Sequence, residues 1–146
     1  MTTSPWALGF APRTSRRTDA PEAGTTDRSA AAAFFKTLLD AVTAAHLLHL
    51  QSRSYAQHQA LGEFYPELEE LTDGLVESYQ GKYGILTDYP QGPSQPNDDP
   101  VAFMTQLSNY VRQSRGPVAS DSEIQNDIDT VQTLVDSTLY KLTNLR

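Results

Sequence analysis

A chain of 146 residues is long enough for one domain with a modest core and too short for two ordinary ones. Eleven Lys and Arg against eighteen Asp and Glu leave a net charge of -7 and a pI near 4.8, which argues against a general nucleic-acid surface, because phosphate binding needs clustered cations. The absence of cysteine excludes disulfides, zinc–thiolate centres and thiol catalysis.

Residues 1–26 are rich in Thr, Ser, Pro, Gly and Arg and hold too few apolar groups to fold alone, so they read as an extended N-terminal arm. Its tip, Pro5 to Phe10, offers Trp6, Leu8 and Phe10, and a basic patch of Arg13, Arg16 and Arg17 follows. Large aromatics carry much of the affinity where they are buried, so the arm reads as an anchor for a partner, or else as a loose terminus. The opening lacks a basic stretch followed by an apolar one, and no run of about eighteen apolar residues follows. A soluble, intracellular protein without a membrane span is the expectation.

Residues 27–146 read as an all-α domain of four helices, at about 27–53, 56–80, 99–115 and 121–145. The first opens on Thr26 or Asp27 as cap and places Phe35, Leu38, Val42, Ala45 and His49 on one face, with His46 at its edge. In the second, Leu61, Phe64 or Tyr65, Leu68, Thr72, Leu75 and Tyr79 face inward, Pro66 predicts a kink or restart, and Gly81 and Gly84 end it. Residues 81–98, with Pro90, Gly92, Pro93 and Pro96, form a connector able to reach roughly 55 Å when extended. A crossover of that length lets helices two and three run parallel. Asp99 and Pro100 open the third helix, which carries Val101, Met104, Leu107 and Val111; Gly116-Pro117 stops it. Ser120 to Glu123 reads as a capping box opening the fourth, with Ile124, Ile128, Val131, Val135, Leu139 and Leu142 on its stripe.

Four ligand-type residues stand out on the first two helices: His46, His58, Asp73 and Glu77. Asp73 lies fifteen residues beyond His58, which on one helix is roughly 22 Å. If the four share a site, two copies of the chain build it.

Four helices with a short first hairpin and a long central crossover fit a ferritin-like bundle better than a simple up-down-up-down one. The segment His46 to His58, followed by Phe64-Tyr65, Leu68, Leu71, Asp73, Glu77 and Tyr79 to Gly84, resembles the Dps-type branch of the ferritin superfamily, small shell-forming iron-oxidising proteins. It is more similar still to a group of bacteriophage proteins of that layout. The likeness covers about residues 30–84, and the fourth helix more loosely. It implies iron as cofactor, held between two subunits by His46 and His58 of one and Asp73 and Glu77 of the other. The pattern expects a further carboxylate where this chain has Gly62. Glu63, next in sequence, points about 100° away around the helix and replaces that ligand only if the helix is distorted. His49 matches no ligand position and reads as packing; Tyr55, Tyr65, Tyr79 and Tyr83 read as interface packing.

Two readings follow. In the first, the chain is a ferritin-like, iron-binding homo-oligomer, at least a two-fold dimer, with weak ferroxidase activity. In the second, it is a non-enzymatic structural or adaptor protein of a phage particle, anchored to a structural partner by residues 1–26, with a degenerate metal site. The resemblance places either one in the host cytoplasm or the virion. DNA protection is the weakest option, since only Arg13, Arg16 and Arg17 are clustered cations.

Overall fold

The computed structural model describes residues 24–92 and 98–146. These form four helices and no strand: α1 (Arg28–Gln51), α2 (Tyr55–Tyr83), α3 (Pro100–Ser114) and α4 (Ser122–Asn144). The arm residues Trp6, Leu8, Phe10, Arg13, Arg16 and Arg17 lie outside the described residues.

Each helix turns the stripe its spacing predicts toward the core, with Val42, His49, Val101 and Leu139 only half-buried. Phe34, Phe35, Leu38 and Ala45 of α1 meet Leu61, Phe64, Leu68, Leu75 and Tyr79 of α2; Met104 and Val111 of α3 and Ile124, Ile128, Val131 and Val135 of α4 complete one core. Every fully buried Leu, Ile or Phe contributes ~1.5–3 kcal/mol relative to its exposed state. Aromatic contacts pack the end where α1 begins, with Phe35 edge-on to Tyr79 at 5.3 Å and Phe34 stacked on Tyr110 at 5.9 Å between ring centres. By length and composition α1 is apolar enough to cross a membrane, yet one of its faces is this core.

The caps explain most boundaries. Asp27 accepts from the Ala30 N–H, Ser54 from that of Gln57, and Asp99 from those of Val101 and Ala102. The α2 helix does not restart at Pro66, nor does it stop at Gly81: a proline removes one backbone bond, while Phe64, Leu68, Tyr79 and Tyr83 on either side stay packed and hold the helix together. Gly84, at φ 85°, is where it ends. The capping box expected at Ser120 does not form either. Asp121 takes the N-cap position but makes no side-chain cap bond, because the chain entering α1 occupies both residues. Thr25 N–H donates to Ser120 Oγ and Gly24 N–H to Asp121 Oδ1, while Ser120 N–H donates to the Thr25 carbonyl. Gly24 to Thr26, which composition assigned to the arm, are thus tied to the body.

α1 packs on α2 and less extensively on α3, and α4 packs on α2 and α3. At one end of the bundle the Asp27 N–H donates to the Pro117 carbonyl, Arg28 donates to the carbonyls of Tyr83 and Ile85, and Lys82 pairs with Asp121 and Glu123. The starts of α1 and α4 therefore lie beside the ends of α2 and α3. At the opposite end Lys141 of α4 holds Glu63 of α2 at 2.8 Å.

Candidate functional site

All three histidines of the chain gather at the α1–α2 hairpin. Antiparallel packing brings residue 49, near the end of α1, opposite residue 58, in the first turns of α2. Their imidazoles stack with ring centres 3.9 Å apart and planes 22° apart. Each Nδ1 bonds the backbone carbonyl of the other residue, His49 to His58 at 2.8 Å and His58 to His49 at 3.1 Å. A carbonyl only accepts, so both Nδ1 atoms carry the hydrogen and each Nε2 keeps a lone pair in the neutral ring. His46, exposed, stacks instead on Tyr65 at 4.1 Å, and its ring centre is 6.2 Å from that of His49.

The sequence pattern pairs His46 with His58; the fold places His49 against His58. Gly62 is the reason. A Cβ built there would lie 2.9 Å from His49 Cε1 and 3.0 Å from its Nδ1, so the space that a side chain at position 62 would need is filled by the His49 ring. The position where the resembled pattern expects a carboxylate is thus a seat for a histidine that pattern does not use. Only the tertiary contact reveals it, although a glycine in a helix facing a histidine across a short hairpin is the signal to look for.

The acids stand apart from this cluster. Asp73 and Glu77 are exposed farther along α2, and Glu63 is engaged with Lys141. Among the described residues, no three His, Asp or Glu side chains come together as a metal-holding group. The stacked pair itself does not fit a shared ion: lone pairs lie in the ring planes, and an ion bound by both rings would have to lie in two nearly parallel planes at once. Among the described residues, one copy of the chain thus leaves the histidines and the two acids of the sequence pattern apart.

A second polar cluster, which the sequence did not reveal, sits at the other end of the bundle. The Asp121 carboxylate, with a side chain only 7% exposed, accepts from Tyr83 Oη, from the Gly24 N–H at 3.0 Å and from Lys82 Nζ at 3.1 Å. Hydrogen bonds from the Tyr83 hydroxyl and the Gly24 N–H, then from Lys82, hold its acidity at about 2. Burial and the same bond to Asp121 push the Tyr83 phenol up to about 12. The Glu123 carboxylate raises the pKa of Lys82, and Lys82 lowers that of Glu123 in turn. These groups clamp the entry of α1 to α2 and α4.

The matched sequence spans the hairpin pair, Gly62 and the Lys82, Tyr83, Asp121 and Glu123 groups of this clamp. A model for a family of unknown function (DUF5856) covers residues 49–142, well over half the chain. The chain belongs to that family. His49, His58, Gly62, Asp73, Glu77 and Asp121 lie within the family match, whereas His46 and most of α1 precede it. No curated protein and no solved structure matches the chain.

Proposed function

We propose that this chain is a ferritin-like bundle serving as a non-enzymatic structural or adaptor subunit, in which the histidines pack the first hairpin instead of oxidising iron. The His49 ring seated over Gly62 carries this reading, since it takes the room of the carboxylate that an iron-oxidising centre of this pattern uses. The ferritin-like assignment is supported by helix order: α1 touches α2 and α3, α4 touches the same two, and residues 84–99 join α2 to an α3 that starts at the opposite end of the bundle. A phage particle or the cytoplasm of its host is the setting implied by the resemblance of residues 30–84, with residues 1–23, the part of the arm not tied to the body, as the anchor to a structural partner.

Self-association belongs to the same proposal. Leu39, Leu47 and Leu50 form an exposed stripe on α1, with Leu50 66% exposed, and a second copy packed there would remove apolar area from water. That stripe also favours a second reading. His46 lies beside Leu47 and is exposed, as are Asp73 and Glu77, so a two-fold pair would decide whether the histidines of one copy meet the acids of the other.

Anaerobic ferrous titration followed by air separates the two readings. The structural reading expects no stoichiometric iron retention and no difference between the wild type and His58→Ala. Iron retained by the wild type and lost in His58→Ala overturns it in favour of the inter-subunit site. A solution mass of the wild type and of Leu47→Glu with Leu50→Glu tests the pairing: a monomeric wild type removes it.

A further inference from the structure

Three features of the seam between α2 and α4 point to one occupant. At its lower end the chain leaves the described body, where the Gly24 N–H is held by Asp121 beside Lys82 and Tyr83. At its upper end lies an open cleft of about 360 Å³ between the start of α2 and the end of α4. Ala56 and Ala60 line it with Tyr55 and Leu145, which are 78% and 50% exposed, and the Glu63–Lys141 pair flanks it. Between the two ends the seam is acidic. Glu63, Glu70 and Glu77 fall seven residues apart in one column of α2, with Glu67 beside them and Glu123 on α4, all exposed.

We propose that the chain's own residues 1–23 cover this seam, with Arg13, Arg16 and Arg17 against the acidic column and Trp6 and Phe10 in the cleft. The order in sequence matches the order in space. Arg17 reaches at most roughly 24 Å from Gly24 and Arg13 roughly 37 Å, while Glu77 and Glu70 stand roughly 9 and 20 Å above the end of α2. Phe10 reaches roughly 48 Å, and Ala60 at the cleft is roughly 35 Å along the helix from Tyr83. The arginines thus meet the carboxylates before the aromatic tip meets the cleft, with slack for the path to bend. Asp19 and Glu22, the arm's own acids, fall near the exit, where Lys82 stands. Opposite charges along the seam supply register, and burial of an indole and a phenyl ring supplies affinity. This goes beyond the structural reading above and does not depend on it; a partner that takes the arm has to draw it off the seam.

Trp6 is the only tryptophan, so its fluorescence reports the arm without labelling. The experiment compares acrylamide quenching and emission maximum of the full chain, over a dilution series, with a synthetic peptide of residues 1–23. The expected result is a blue-shifted Trp6 that is protected relative to the peptide at every concentration. Glu67→Lys with Glu70→Lys, both at exposed positions, should raise quenching to the peptide's value while helical circular dichroism stays unchanged. Adding Arg13→Glu, Arg16→Glu and Arg17→Glu to that variant should restore protection. Wild-type quenching equal to the peptide's, or protection indifferent to the charge reversals, overturns the proposal. Protection lost on dilution does so too, because the arm would then lie on a second copy.

Discussion

The His49 imidazole lies against Gly62 so closely that a methyl group on that glycine would stand 2.9 Å from its Cε1. Alanine at position 62 gains ~1 kcal/mol in helix propensity over glycine, but must tilt a ring whose Nδ1 is bonded to the His58 carbonyl. Overpacking of this kind costs ~1–3 kcal/mol, and the lost bond adds to it. Gly62→Ala should therefore destabilise the protein by ~1 kcal/mol, read as a lower urea midpoint. A raised midpoint would show that the His49 ring moves aside freely.

Gly74 offers the opposite case on the same helix. It is exposed within α2, and a Cβ there meets nothing within 4 Å. Gly74→Ala should stabilise by ~0.5–1 kcal/mol through helix propensity and a less flexible unfolded chain. A thermal midpoint that fails to rise would mean this glycine faces something the single chain does not show, such as a second copy.

The Asp121 clamp gives a pH signature at each extreme. Its folded pKa, about 2, lies below the ordinary carboxylate value, so its contribution is complete above about pH 4 and is lost as pH falls toward 2. For Tyr83 the folded pKa, about 12, lies above the phenol's usual value, so its contribution is complete below about pH 10 and is lost as pH rises toward 12. Asp121→Asn should weaken the bonds from Tyr83, Lys82 and Gly24 together and flatten the stability profile between pH 4 and 2. Urea midpoints against pH for both proteins check this; parallel acid limbs would place the effect elsewhere.

Tyr79 is fully buried, and its hydroxyl bonds Thr26 Oγ1 at 2.7 Å. Thr26 gives its own hydrogen to the Val118 carbonyl, also at 2.7 Å, so the tyrosine is the donor in this pair. Tyr79→Phe keeps the edge contact with Phe35 and leaves Thr26 one bond short, for a loss of ~1 kcal/mol. Tyr79→Ala should cost ~3–5 kcal/mol, the range for an emptied aromatic site. A Tyr79→Phe variant as stable as the wild type, measured by denaturant unfolding, would show that packing and not the hydroxyl holds the α1 entry; equal losses for the two variants would show the reverse.

Much of the bundle is legible from spacing alone. The stripe Leu61, Phe64, Leu68, Thr72, Leu75 and Tyr79 is buried as its period requires, and Asp99-Pro100 opens α3 as its chemistry predicts. Helix ends proved harder where a neighbour intervenes. Gly81 passes unbroken because Tyr79 and Tyr83 are anchored on either side of it, and Ser120 does not cap α4 because Thr25 uses its hydroxyl.

The sequence by itself determined the four helices, their buried faces and the separation of His58 from Asp73 along one rod, because helical period and rise are local properties of the chain. Which histidine faces which was decided only by the tertiary structure. The pairing of His49 with His58 depends on how the hairpin closes, and the room for it depends on Gly62 lying across from that ring. The Asp121 clamp is of the same kind, joining residues 24, 82, 83 and 121 through contacts no periodicity encodes. Local rules act over a turn or two of helix, whereas these bonds join groups that sequence places tens of residues apart, and only packing sets their distance.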